Sequence, residues 1–188
     1  VIVDALSRIE DLRSSLNLPF SSMSLTNNGS VSFFEAPCAV MNATGTIESL
    51  FEPMDYADHL VEHSMPGSYM KSVRLKDGDR SFVVGPLARL NVNHSFSTPR
   101  ADSLLAEYRA FKHPRSSALD FIEARFIEMM HTAERIGEIA SQEIDDNLMV
   151  EAKPGPGKFI GMVEAPRGIL IHEYVTDDTG ILTSANLI

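Results

Sequence analysis

A run of apolar residues between positions 118 and 140 limits what this chain can fold into more than any other stretch. Leu119, Ile122, Phe126, Met129, Ala133, Ile136 and Ala140 recur at alternating intervals of three and four. That period marks one face of an α-helix. Phe121, Met130 and Ile139 broaden the stripe. Ser117 stands just ahead of it, where a hydroxyl can accept from the free N–H groups of a first helical turn. His113-Pro114-Arg115 separates this helix from an earlier one over residues 101–111, which is approached through Thr98-Pro99. The stripe predicts a long helix packed along much of its length, with its methionines as adaptable core filler.

Elsewhere the periodicity is shorter. Residues 2–16 place Ile2, Leu6, Ile9, Leu12 and Leu16 at helical spacing, ending before Pro19. Asn27-Asn28-Gly29 lies between two alternating segments, 22–26 and 30–34, and predicts a tight hairpin. A second hairpin is expected for residues 39–42 and 46–51 around Ala43-Thr44-Gly45. Residues 55–65 read as a short helix stopped by Pro66-Gly67. Residues 68–75 and 80–84 read as a third hairpin around Lys76-Asp77-Gly78-Asp79. After the helix pair, apolar segments 159–163 and 169–175 are hinged at Pro166-Arg167-Gly168, and a turn at Asp177-Asp178-Thr179-Gly180 leads into a last strand. The order is helix, hairpins, helices, strands, without βαβ alternation, and this gives an α+β fold. Hairpins and terminal strands are expected to pack with a helix pair that includes the long amphipathic helix. The 188 residues fit one domain, 1–188.

Charge and composition narrow the function. A net charge of −10 works against nucleic acids and anionic membranes, which both recruit Lys and Arg. No apolar run approaches the roughly 20 residues of a membrane-spanning helix. The one cysteine, Cys38, excludes an internal disulfide framework, fits a reducing compartment and follows Pro37 in a setting that predicts burial. Gly155-Pro156-Gly157 is not followed by the Lys-Ser/Thr of a phosphate loop.

Two local patterns carry chemistry. In Pro166-Arg167-Gly168, proline fixes its own φ and glycine permits a tight path. An arginine between them is projected in a defined direction with five donors and a permanent charge, which suits an anion or a polarised ligand atom. The plain alternative is a turn arginine in a surface salt bridge. His59-Leu60-Val61-Glu62-His63 fits the inverted zinc-protease pattern, in which two histidines on one helical face share a metal and the glutamate serves as base. That site needs a third ligand and a cleft, and two solvent-facing histidines are the simpler reading. His131, beside the long stripe, reads as a helix-flank histidine.

The wording of several segments resembles the large subunit of nickel-iron hydrogenases, most closely their soluble, cofactor-reducing branch. The resemblance rests on Glu164-Ala165-Pro166-Arg167-Gly168, Ile169-Leu170-Ile171-His172-Glu173-Tyr174 and the ending from Gly180 to Ile188. It rests equally on Val84-Gly85-Pro86-Leu87-Ala88-Arg89-Leu90-Asn91, followed by Thr98-Pro99-Arg100-Ala101-Asp102. The blocks come in the family's order at a plausible separation.

In that family the arginine of the Pro-Arg-Gly motif sits over the metal centre, near its open coordination position and the iron's cyanide ligands. The resemblance therefore assigns Arg167 an electrostatic role beside the metal. By the same resemblance Pro166 would pack beside the same diatomic ligands, and Gly168 would let the chain turn away. Pro166, Arg167 and Gly168 would border the cofactor, His172 would give a supporting hydrogen bond, and none would be a metal ligand. Arg89 is expected to anchor a contact between segments, and no proton-passing role is transferred to Glu164.

The family holds nickel and iron with two CxxC pairs, and Cys38 lies in neither kind of motif. The resemblance thus implies a central fragment without the metal-binding ends, inactive alone and binding no nickel. For the whole protein it implies a nickel-iron centre with cyanide and carbonyl ligands, H2 as substrate and a cytoplasmic location. The partners it implies are diaphorase subunits and an iron-sulfur small subunit. The alternative is a metal-free subunit-interaction module related to the quinone-site subunit of respiratory complex I, whose wording is nearer Pro-Lys-Gly.

Overall fold

Turn chemistry lays out the first half of the chain. The computed structural model describes residues 20–143, 149, 151 and 153–188. The helix expected over residues 2–16 lies outside the described residues. Strand β1 (Ser21–Asn27) and strand β2 (Ser30–Val31) form an antiparallel hairpin. Asn28 (φ 51°) and Gly29 (φ 82°) both take the positive φ that such a two-residue turn needs. The second strand is shorter than expected because the chain leaves the ladder after Val31, and Phe34 bridges Val163 instead. Strands β3 (Cys38–Met41) and β4 (Ile47–Phe51) form the second hairpin. Its turn is held by Asn42, whose Oδ1 accepts from the N–H groups of Thr44 and Thr46, both at 3.0 Å.

Two expectations fail over residues 55–84. Helix α1 covers Tyr56–His59 alone, and the chain then extends as strand β5 (Leu60–Ser64). Strand β6 (Lys71–Leu75) pairs with it in register from Leu60↔Leu75 to Ser64↔Lys71. Pro66-Gly67, with Gly67 at φ 76°, lies in the connection between these strands rather than at a helix stop. Since β6 is already paired to β5, the third hairpin shrinks to a tight turn closed by one bridge, Leu75↔Arg80. The short strand β7 (Phe82–Val83) instead runs parallel to the start of β1. Cross-strand pairing has overridden local preference, as it commonly does in sheets.

Helices α2 (Pro86–Val92), α3 (Pro99–Phe111) and α4 (Ala118–Ala140) follow. Ser117 caps α4 as expected, and Asp120 Oδ2 accepts from the Ser117 N–H at 2.9 Å to complete a capping box. The helix is where the periodicity puts it, but the packed face is not. The buried residues are Asp120, Ala124, Ile127 and His131, whereas Phe126, Met129 and Ile136 are each about two-thirds exposed. Two of the four packing positions are polar, so a hydrophobic pattern could not reveal them. Ala124 belongs to one buried cluster with Leu90 and Leu105. His131 is buried rather than flanking, with Nδ1 2.9 Å from Thr98 Oγ1 and its ring stacked on Phe33.

The terminal strands β8 (Gly157–Ala165), β9 (Gly168–Thr176) and β10 (Leu182–Leu187) form an antiparallel sheet in the order β10-β9-β8. Met162 and Ile171 of this sheet pack with Met23, Leu25, Cys38 and Val40 of the larger one, in strand order β2-β1-β3-β4. Burying each aliphatic side chain here contributes roughly 1.5–3 kcal/mol. On the opposite face of β1, Ser22 and Ser24 accept from the side-chain amides of Asn91 (3.0 Å) and Asn93 (3.1 Å). The alternation in Ser-Met-Ser-Leu is therefore not a sheet with one wet face. Both faces are buried, one on apolar side chains and one on asparagines around α2. The α+β class read from the sequence holds.

Candidate functional site at the hairpin tip

The two-residue turn between β8 and β9 is Pro166-Arg167, closed by the pair Ala165↔Gly168. This tip meets the start of α2. Gly85, the residue before that helix, has φ 84° and ψ −158°, a conformation essentially reserved for glycine. A Cβ at Gly85 would also lie 2.9 Å from the carbonyl carbon and oxygen of Arg167. Gly168 sits at a close contact rather than in a glycine-only turn conformation. Its φ is not positive, but a Cβ there would come within 3.2 Å of Val84 Cγ2. The two sequence blocks, Val84–Asn91 and Glu164–Gly168, thus touch backbone to backbone.

Beneath the contact lies Arg89, one turn into α2 and 1% exposed. Its Nη1 donates to Glu164 Oε2 at 2.6 Å and to the Ala165 carbonyl at 3.0 Å. Its Nε and Nη2 donate to the two oxygens of Glu128 on α4, at 2.5 and 2.9 Å. The other oxygen of Glu164 accepts from the Leu25 N–H at 2.8 Å. Burial works against the Arg89 charge, but the two carboxylates outweigh it and hold its pKa above the ordinary arginine value. Burial pushes the Glu164 carboxyl up, and Arg89 and the Leu25 N–H only partly reverse that.

Arg167 is the reverse case. It is exposed at the tip and has no hydrogen bond or ion pair to any described residue. Pro166 is exposed beside it. His172 is not brought to the tip. It lies four residues beyond Gly168 along β9, roughly 13 Å at the strand rise, and its Nδ1 is 3.0 Å from the Tyr174 hydroxyl. The histidines of the zinc-protease pattern are also parted. His59 ends α1, stacks on Phe51 and lies 3.1 Å from Ser49 Oγ, whereas His63 is on β5, bonded to Asp79 at 2.9 Å. Glu62 bonds Lys71 and Asn186.

Among the described residues no group of three or more His, Cys, Asp or Glu is placed to hold a metal ion. Cys38 is buried, and burial raises its thiol pKa, which is opposite to what a thiolate ligand needs. An exposed guanidinium at the tip can donate to an anionic ligand. Sequence reasoning misses Glu128 because it sits on the edge of an apolar stripe. A usable signal is present nonetheless. Arg89 lies in a helix whose other residues are apolar or asparagine, and an arginine buried there requires carboxylate partners.

No protein-family model matches the chain. It is 35% identical over 175 residues to the vhc F420-non-reducing hydrogenase polypeptide of Methanococcus voltae, covering 88% of this chain and 37% of that protein. It is 34% identical over 182 residues to the beta polypeptide of the NAD-reducing hydrogenase HoxS of Cupriavidus necator, covering 92% of this chain and 37% of that protein. Its fold is similar to the crystal structure of an NAD+-reducing [NiFe]-hydrogenase in the H2-reduced state, with TM-score 0.79 and 30% identity, covering 100% of this chain and 44% of that one. Its homologues are hydrogenase subunits, and its fold is one found in nickel-iron hydrogenases. The chain spans about two-fifths of the length of the relatives it matches. No described helix is long and apolar enough to cross a membrane.

Proposed function

We propose that this chain is the central portion of the catalytic large subunit of a nickel-iron hydrogenase, and that Arg167 is the residue it contributes over the metal centre. The supporting observation is the junction itself. Two separate motif blocks meet at Gly85 and Arg167, one buried arginine ties them together, and a second, exposed arginine commits no side-chain donor to a described residue. When bound, the nickel-iron centre supplies heterolytic cleavage of H2, with the sum reaction H2 ⇌ 2H+ + 2e−.

The chain's own part is electrostatic. A planar cation held over the site donates to an anionic ligand such as cyanide nitrogen and strengthens the field where charge separates. Pro166, without an N–H, adds packing and no competing donor. His172 supports strand β9 through Tyr174 rather than touching the reacting atoms. The metal ligands lie outside this chain, so the chain alone binds no nickel and has no activity. Electrons leave through an iron-sulfur small subunit toward a soluble acceptor such as a nicotinamide cofactor, in the cytoplasm.

The test is Arg167→Lys in the intact subunit. Lysine keeps the charge and loses the planar fork, so turnover is expected to fall strongly with nickel and iron content nearly unchanged. Turnover equal to that of the unaltered enzyme would sink the assignment. Absence of nickel and iron from the intact subunit would move the reading to a metal-free interaction module.

A further inference from the structure

We infer that Arg89 and Glu128 are positioning residues for Arg167, acting as a clamp that fixes the direction of the hairpin tip; this rests on the role proposed for Arg167. The clamp joins three elements that are remote in sequence. Arg89 comes from α2, Glu128 from α4, and their target is the end of β8. Arg89 grips the two residues that lead into the turn, through the Glu164 carboxylate and the Ala165 carbonyl. Glu164 is pinned from two further directions, by the Leu25 N–H to its carboxylate and by its own N–H to the Phe33 carbonyl at 2.9 Å. On the outgoing side, the Arg167 carbonyl rests against Gly85 and Gly168 against Val84. The backbone of the tip is held before, at and after Arg167, while the Arg167 side chain bonds to no described residue.

Stability alone is a poor reason for such a network. A well-packed apolar set of similar volume is commonly as stable as a buried ion pair or more so. What apolar contacts do not supply is direction. Glu128 takes two donors of Arg89 while Nη1 takes the hairpin, so the guanidinium plane has one orientation, and α4 sets the angle of the tip through it. Glu128 is therefore coupled to the site although it touches neither Arg167 nor any atom over which Arg167 would stand.

The experiment uses three variants of the intact enzyme. Arg89→Lys keeps the charge but cannot bridge three acceptors in one plane. Glu128→Gln weakens the far side of the clamp. The triple change Arg89→Met with Glu128→Gln and Glu164→Gln removes the ion-pair network without stranding a buried charge. Each is measured for turnover, the Michaelis constant for hydrogen, metal content, and amide hydrogen exchange at Ala165, Arg167 and Gly168 compared with residues 157–160 at the open end of the same hairpin. The expected result is a turnover loss of roughly ten- to a hundred-fold, since small misplacements of an oriented group have effects of that size. The Michaelis constant and metal content should stay unchanged, and exchange should quicken at the tip alone. Unchanged turnover with a loosened tip would overturn the clamp, as would metal loss in proportion to activity, or failure of all three variants to fold. If the clamp variants are fully active while Arg167→Lys is impaired, only the clamp is lost. If Arg167→Lys is fully active, the reading beneath it is lost instead.

Discussion

Arg89 and Arg167 stand on either side of one hairpin tip and meet opposite environments. Arg89 is almost wholly buried and commits its donors to two carboxylates and a carbonyl. Arg167 is exposed and commits none to a described residue. Nothing in the residue type distinguishes them. A charge inside the protein must be neutralised by partners to be tolerated, and in that act it loses its capacity to bind anything else. A charge at the rim needs no partner for stability, so it keeps its fork for a ligand. One arginine can hold the site together and another can act on it, but one residue cannot do both.

The largest expected effect is on the buried side. Arg89→Met by itself leaves Glu164 and Glu128 as uncompensated carboxylates, and denaturant unfolding of the purified chain should show a loss of about 3–5 kcal/mol. Adding Glu164→Gln and Glu128→Gln should restore much of that loss; if it does not, packing rather than charge dominates at Arg89. Next comes the junction between the two regions. Gly85→Ala places a Cβ against the Arg167 carbonyl in a glycine-only conformation and should cost about 1–3 kcal/mol in the same assay.

A third, intermediate arginine sharpens the contrast through pH. Arg109 Nη2 lies 2.9 Å from His113 Nε2, and burial, assisted by that cation, brings the His113 pKa from 6.5 down to about 4. A depressed pKa means the unfolded chain takes the proton first. The contribution is present above pH 6.5 and is lost as pH falls through about 4. His113→Gln should therefore flatten the decline in melting temperature across that window; an unaltered slope would remove His113 from the account. The smallest effect belongs to the exposed arginine. Arg167→Ala should change unfolding free energy by no more than about 0.5 kcal/mol, as for other surface sites without partners. A larger loss would mean that Arg167 is structural after all, and the comparison would collapse.

Legibility follows the same division. Features governed by neighbours in sequence are readable. They include the Asn28-Gly29 turn, the Ser117 cap, the extent of α4 and the Pro166-Arg167 hinge. Features governed by distant partners are not. Residues 60–64 become a strand because Lys71–Leu75 pairs with them, and the packed face of α4 is chosen by Asp120 and His131, which carry no apolar signal. The candidate site divides likewise. Arg167 can be singled out because its two flanking residues restrict the backbone, whereas the meeting of Gly85 with Arg167 and the reach of Glu128 to Arg89 exist only in three dimensions.

The hairpin that carries Arg167 runs through nine successive cross-strand pairs before closing on two residues. Side chains alternate faces along each strand, so adding or deleting a single residue at the turn would invert one strand relative to the other. Met162 and Glu164, or Ile171, would then exchange the interior for water. This segment can absorb changes of spelling at its outward positions but not a change of length, and the distance from Gly157 to Thr176 is as much a part of the site as any side chain within it.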